Sequence, residues 1–385
     1  MEHTMTNLLI AGDFAVRDRL AKCIDRSEYQ VVFGLVKPYV ERADFSIVNL
    51  ECPVATDSSK PIIKNGGPLK CGETAVQALK YVGFKCVTLA NNHFRDYGDT
   101  GCINTLDVLN KYSIEHVGGG ANIYESKTPL YFEHNGEQIA VLNFCEHEFS
   151  IADVLSGGSC PLDLVENYRM VQIAKERASY VIVITHGGHE YYQLPSPRMK
   201  QTYRWFIEIG ADAVVNHHQH CFSGYEVYQG KPIFYGIGNF CFDKPGYRNS
   251  IWNEGFLVNL KLGKEIEFNI IPYCQCDQTP TVVPMNEQQR EVFFSKISSL
   301  NSTIQDDNLL AEEFDRWCQR KYKSYDHCLS PYTSKWASLL WEKHLLPSFV
   351  SMRKLLVLYN RIACEAHRDV FINYLNPLLS GEILP

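Results

Sequence analysis

The chain has 385 residues, 45% hydrophobic and 21% charged, with a formal net charge of −7. That balance belongs to a globular protein with room for one large α/β domain and an appendage of about 100 residues. The acidic excess and the lack of a basic tract exclude a general nucleic-acid surface, and no apolar run approaches the ~20 residues of a spanning helix.

Taken in chain order, Leu8 to Ala11, Phe45 to Val48, Cys86 to Ala90, Tyr180 to Thr185 and Ala213 to Val215 are apolar runs rich in β-branched residues, and they read as strands. Helical periodicity occupies Glu73 to Tyr81, Thr100 to Lys111, Leu162 to Arg177 and Pro197 to Ile209. Ser196 and Pro197 supply a cap and a first-turn proline, while Gly83 and Gly210 can close helices before the next strand. This alternation predicts parallel strands joined by crossover helices. Phe256 to Leu262 and Ile266 to Ile271 then read as an antiparallel hairpin. Pro280 and Pro284 mark a break near Val283, dividing an α/β domain over residues 7–283 from a helical module over 284–385. Helices are expected there near Glu287 to Leu300, Asn308 to Lys323, Thr333 to Leu345 and Pro347 to Tyr374. The apolar residues of this tail, Trp336 and Trp341 among them, favour a helical cap on the α/β domain over a docking face for a partner.

The first apolar run lacks a preceding basic segment and is too short for a signal-peptide core, so a cytoplasmic protein without a transmembrane segment is expected. Its 14 cysteines include no pair at zinc-finger spacing and read as reduced core thiols.

Polar clusters begin where the strand-like runs stop. They are Gly12-Asp13, Asn49-Leu50-Glu51, Asn91-Asn92-His93, His186 with Glu190, His217-His218-Gln219-His220, Glu226 and Gly238-Asn239-Phe240. Strand ends of α/β proteins share one rim, so these clusters are expected to line one pocket. Imidazole, carboxylate and amide oxygen together satisfy a divalent zinc, manganese or iron ion. Five of the 13 histidines fall between His186 and His220, which favours a shared site over scattered surface roles. His116, His134 and His367, standing alone, are assigned no role. Gly118-Gly119-Gly120 lacks the Lys-Ser or Lys-Thr of a phosphate loop and reads as a tight turn. Lys64 and Lys70, in the long loop after Glu51, either meet an anionic substrate or are simply solvated.

The order of these motifs resembles the CapA family of capsule and poly-γ-glutamate synthesis proteins, relatives of the calcineurin-like metallophosphatases, from about residue 8 to 275. Leu89 to His93 with Asp96-Tyr97-Gly98, His186 to Tyr191, Tyr228 to Ile233 and Tyr235 to Phe240 carry the resemblance. It implies a four-layer α/β/β/α sandwich. It further implies that Asn92, His186 and His218 hold one ion, Asp13 and His220 another, and that Glu51 bridges them. His93 would donate a proton to the leaving group, with Asp96 orienting it. Ala15 stands where the phosphatases have a further histidine, so one firm ion is expected ahead of two.

His189, His217, Glu190 and Asn239 are expected to contact substrate or to support ligands, Glu190 by orienting His186. Gly187, Asn216 and Gln219 depart from the family motif without removing a ligand. Two functions follow from the resemblance. One is a metal-dependent hydrolase of phosphoester or γ-glutamyl-type amide bonds, acting on an anionic polymer or a small phosphoester. The other is a non-catalytic, polymer-binding partner of a capsule synthase.

Overall fold

The computed structural model describes residues 5–326 apart from Asp57, together with 332, 334–343, 345–347, 351–363, 367, 368, 371 and 375. The chain forms two compact units, Met1–Ala311 and Glu312–Pro385.

Two large sheets build the first unit, with a two-stranded pairing of Gly119–Gly120 and Gly158–Ser159 beside them. In one, the order is Val282–Pro284, Glu267–Gln275, Glu254–Leu262, Thr6–Ala15, Phe45–Leu50, Cys86–Thr88 and Glu115–Val117, and Asn239–Phe242 adds to the end of Thr6–Ala15. The other runs Tyr225–Tyr228, Lys231–Phe234, Ala213–His217, Tyr180–His186, Glu137–Cys145 and Leu130–His134. Alternate residues of a strand point to opposite faces, and the burial follows that rule. Leu8, Ile10 and Ile47 of the first sheet meet Val141, Ile184 and Val215 of the second in a dry core between the sheets. Leu9, Val48 and Val87 face the other way, onto Leu20, Val76 and Leu79 of the covering helices. Helices Leu164–Arg177 and Pro197–Glu208 cover the second sheet with Val171, Ala174, Met199 and Phe206. The result is the four-layer α/β/β/α sandwich.

Local chemistry sets the helix boundaries. Ser196 Oγ accepts the Met199 N–H at 3.2 Å, and Gly83 ends helix Glu73–Val82 at φ 104°, a conformation costly for any residue with a Cβ. The helix expected from Leu162 starts at Leu164, because Asp163 accepts the N–H groups of Val165 and Glu166 and so acts as the cap. The expected hairpin is present as Glu254–Leu262 and Glu267–Gln275, with Leu260 opposite Phe268.

Helix Glu287–Gln305 packs against the second sheet. Phe293 lies 4.6 Å from the Phe222 ring, and Asn301 accepts the Tyr225 N–H at 2.7 Å. The break drawn near Val283 thus precedes a helix that is part of the first unit, which continues to Ala311. Ending the chain at Val283 would uncover this face and remove buried Phe293, Ile297 and Ile304. The truncated protein should lose more than ~3 kcal/mol of stability, the cost of removing one large buried aromatic side chain. Urea unfolding of the two lengths checks this. In the second unit, Lys335–Glu342 and Met352–Ala363 are helical. Of the expected stretch from Pro347 to Tyr374, residues 348–350, 364–366, 369–370 and 372–374 lie outside the described residues.

Candidate metal centre

Asp13 lies at a register shift near the end of the first strand, opposite Asn239. The shift is possible because Gly12 has no side chain: a Cβ there would come within 1.8 Å of the Gly238 carbonyl oxygen. The neighbouring strands end beside it. Glu51 follows Phe45–Leu50, His186 ends Tyr180–His186, and His217 sits directly opposite His186 in the sheet register. His218 and His220 follow with φ of 91° and 54°. Positive φ in two non-glycine residues marks a backbone held in place by its surroundings, a feature that concentrates at functional sites.

Four atoms converge on one point. His186 Nε2 lies 3.1 Å from Asn92 Oδ1, 3.1 Å from His218 Nδ1 and 3.7 Å from Glu51 Oε1. A second convergence shares Glu51: its Oε1 lies 3.6 Å from His220 Nε2, while His220 Nδ1 is 3.5 Å from Asp13 Oδ2. Ligand atoms of Glu51, His186 and His218 lie within 4.8 Å of one another, as do those of Asp13, Glu51 and His220 and those of Asp13, His186 and His217.

Supporting bonds orient these groups. Asn49 Nδ2 donates to Asp13 Oδ1 at 2.7 Å and lies 3.4 Å from His186 Nδ1, leaving His186 Nε2 for the cluster. The Asn239 side chain lies 2.9 Å from His220 Nδ1 through its oxygen and donates to the His220 and Trp252 carbonyls.

The charges are unbalanced. Burial pushes the Glu51 carboxyl well above its ordinary range, and the nearby charges of Asp13 and Glu190 push it further. Burial acts in the same direction on Asp13, but His220, His217 and His186 outweigh it and hold Asp13 below the usual carboxylate range. His186 is lowered well below its ordinary value by burial and by His218, and His218 is lowered by burial to about 4. Both Glu51 oxygens are buried and accept no hydrogen bond. Buried polar atoms without partners are rare and costly. A divalent cation between Glu51 and neutral imidazoles would satisfy them, so the donor set fits a transition ion.

Beside the cluster, His93 Nδ1 lies 2.6 Å from Asp96 Oδ2, and Asp96 also accepts the Leu69 N–H at 2.7 Å and the Lys64 ammonium at 2.5 Å. The Lys64 side chain is only 3% exposed. It is an internal counter-ion rather than a solvated loop lysine. His93, Asn92, Glu148, Glu190 and His220 line a cavity of about 740 Å³ together with Tyr191, Lys244 and Trp252.

The family model described as "Bacterial capsule synthesis protein PGA_cap" matches residues 7–244. The chain belongs to this family of capsule synthesis proteins. Among its relatives is "Capsule biosynthesis protein CapA" of Bacillus anthracis, 31% identical over 251 residues covering 63% of this chain and 61% of that protein. This chain therefore spans about three fifths of that relative. "PGA biosynthesis protein CapA" of Bacillus subtilis is 28% identical over 290 residues, 74% of this chain and 76% of the relative. Among solved structures, a hypothetical protein from Thermus thermophilus aligns with a TM-score of 0.43 at 13% identity, covering 69% of this chain and 99% of the other. A 5'-nucleotidase from Candida albicans aligns with a TM-score of 0.40 at 10% identity, covering 81% and 56%.

In this PGA_cap chain Asp13, Glu51, Asn92, His186, His218 and His220 all meet in one cluster. His217 is closer to it than its sequence context indicated, with both ring nitrogens buried and without a hydrogen bond. Glu190 is exposed at the cavity mouth, and the nitrogen of His186 that it was expected to orient faces Asn49. His189 is absent from the cavity wall and lies near Glu146 and Arg198. Glu226 stands apart from the centre, bonded to Arg204 at 2.8 and 2.6 Å and to the Tyr235 hydroxyl at 2.5 Å. Its carboxylate is already satisfied there. Two acids went unread, Glu146 and Glu148. Both follow strand Glu137–Cys145, and Glu148 Oε1 lies 3.9 Å from His218 Nε2.

Proposed function

We propose that this chain is a metal-dependent hydrolase of phosphoester or γ-glutamyl-type amide bonds in the synthesis or turnover of an anionic surface polymer. One observation carries the reading: a buried, unpartnered carboxylate, Glu51, faces His186 and His220 from within 4 Å. A structural glutamate would have a donor on each oxygen.

Glu51, Asn92, His186 and His218 would hold one firm ion, and Asp13 with His220 would supply ligands for a second. Bound there, zinc, manganese or iron would supply Lewis acidity and a water activated near neutral pH. The protein's own groups do the remaining work. Asn49 and Asn239 fix the ring orientations of His186 and His220. Asp96 holds His93 by Nδ1, leaving Nε2 as its remaining ring nitrogen for proton transfer in the cavity. The same proposal keeps the cytoplasmic setting expected from the sequence.

His218→Ala tests the site. Protein equilibrated with zinc or manganese should hold about one ion per chain, and the variant well under half of that by elemental analysis. Unchanged metal content would remove His218 from the ligand set. A second reading, a non-catalytic partner of a capsule synthase, is favoured by Ala15, whose side chain lines the cavity wall without a donor atom. Metal-loaded protein inert towards phosphoesters and γ-glutamyl peptides alike would favour it.

A further inference from the structure

The cations of the cavity differ in how they are neutralised. Lys64 is paired with Asp96, and Arg17 with Asp18 at 2.7 Å. Lys244 lines the same cavity and forms no ion pair among the described residues. Aromatic rings surround it instead. Its nitrogen lies 4.1 Å from the centre of the Tyr247 ring, 4.8 Å from that of Trp252 and 5.3 Å from that of Tyr191, and it donates to the Tyr191 hydroxyl at 2.7 Å.

This enclosure has a chemical consequence. Aromatic faces attract an ammonium through their quadrupoles and fix its position, but they carry no net charge to cancel it. A carboxylate in the same place would cancel it. The shelf is itself firm: Tyr191 stacks on Tyr247 at 5.4 Å and on Trp252 at 5.8 Å, and its backbone holds φ 63°. It is also tied to the metal centre, because the Trp252 ring lies 4.8 Å from that of His220. The Lys244 ammonium is thus held in the cavity one indole ring away from a candidate metal ligand.

We propose that Lys244, with the Tyr191 hydroxyl, is a binding subsite for an anionic group of the substrate, a carboxylate or phosphate lying beyond the bond presented to the metal centre. The proposal rests on the hydrolase reading only for what lies next door; the subsite itself is a matter of binding. It makes the cavity selective for a chain with repeated negative charges over an isolated ester. Glu190 stands at the same mouth beside the Tyr191 hydroxyl, so an anion is held there only where Lys244 offsets that carboxylate.

The test is equilibrium binding by calorimetry to the full chain, with a γ-glutamyl oligomer as the carboxylate probe and a linear oligophosphate as the phosphate probe. Lys244→Gln should weaken binding of at least one probe by about 10- to 100-fold, the range of a lost charge-assisted hydrogen bond. Lys244→Arg should keep most of the affinity. Loss confined to the γ-glutamyl oligomer identifies a carboxylate site, and loss confined to the oligophosphate a phosphate site. Equal binding by wild type and Lys244→Gln, or no binding of either probe by wild type, overturns the proposal.

Acetylation of Lys244 in the wild-type protein, read by mass spectrometry, gives a check independent of the variants' folding. Saturating probe should protect the amine, and undiminished labelling counts against the subsite. Metal content measured on the same samples separates the two readings. Protein that holds no metal yet loses probe affinity in Lys244→Gln would sink the hydrolase and leave the subsite standing.

Discussion

Glu51→Gln should lose more than half of the bound metal and yet raise the stability of chelator-treated protein. The two effects have one origin. Glu51 is buried, neither oxygen has a hydrogen-bond donor, and burial together with Asp13 raises its pKa well above the ordinary value. The folded state therefore binds this proton more tightly than the unfolded state does. By linkage, stability falls as pH rises from the ordinary carboxylate pKa of about 4.3 towards the folded value, because the unfolded chain ionises freely there and the folded chain does not. Glutamine carries no charge to bury and escapes the penalty.

At pH 7 the metal-free variant should be more stable than metal-free wild type by about 1–3 kcal/mol, the usual desolvation cost of an unsatisfied buried group. That corresponds to a rise of a few degrees in the thermal midpoint. Near pH 4 the difference should shrink, since the carboxyl is then largely protonated in both states. With metal present the order reverses, because wild type gains binding energy that the variant cannot. Calorimetry with and without chelator, at the two pH values, measures all four quantities. A variant that keeps its metal, or a metal-free variant that is less stable at pH 7, would show that Glu51 is an ordinary structural carboxylate.

What the sequence made legible follows from which signals are local. Runs such as Phe45 to Val48 and Tyr180 to Thr185 are continuous apolar strands because both of their faces are buried, one between the sheets and one under helices. Their ends can be read directly, and so can Asp13, Glu51, His186 and His218, which stand just beyond them. Edge strands are harder. Leu130–His134 and Tyr225–Tyr228 are only partly buried, and without a full apolar run they escape a search for one.

The supporting groups are harder still. Lys64 lies in a loop with no periodicity, and only folding brings it to Asp96, 32 residues away. Glu146 and Glu148 follow a strand, but a Glu-His-Glu triplet is ordinary until Gly187, Gly188 and His218 are placed beside it. Glu226 is the converse case. It looks like a ligand in sequence, and its true partners, Arg204 and Tyr235, are 22 and 9 residues distant.

His93→Asn should slow turnover by about 10²-fold or more while leaving metal content and stability near those of wild type. The geometry allows this separation. His93 bonds Asp96 through Nδ1 and lines the cavity, and its side chain contributes no atom to the three groupings of ligand atoms around Glu51 and Asp13. Asparagine can still donate towards Asp96, so the loop carrying Lys64 and Leu69 keeps its anchor.

The pH dependence gives the sharper test. Burial lowers the His93 pKa below its ordinary value; Asp96 opposes this and the Lys64 ammonium adds to it. An imidazole acting as proton donor must be protonated in the reactive state. Its active fraction then falls tenfold per pH unit above that lowered pKa, so kcat should decline as pH rises through the neutral range. In His93→Asn this decline should vanish, leaving a low and flat rate. Lys64→Met removes the positive neighbour, so the His93 pKa rises and the decline should shift to higher pH. If His93→Asn keeps the wild-type profile on a substrate with a poor leaving group, the proton comes from elsewhere, and Glu148 becomes the next group to replace.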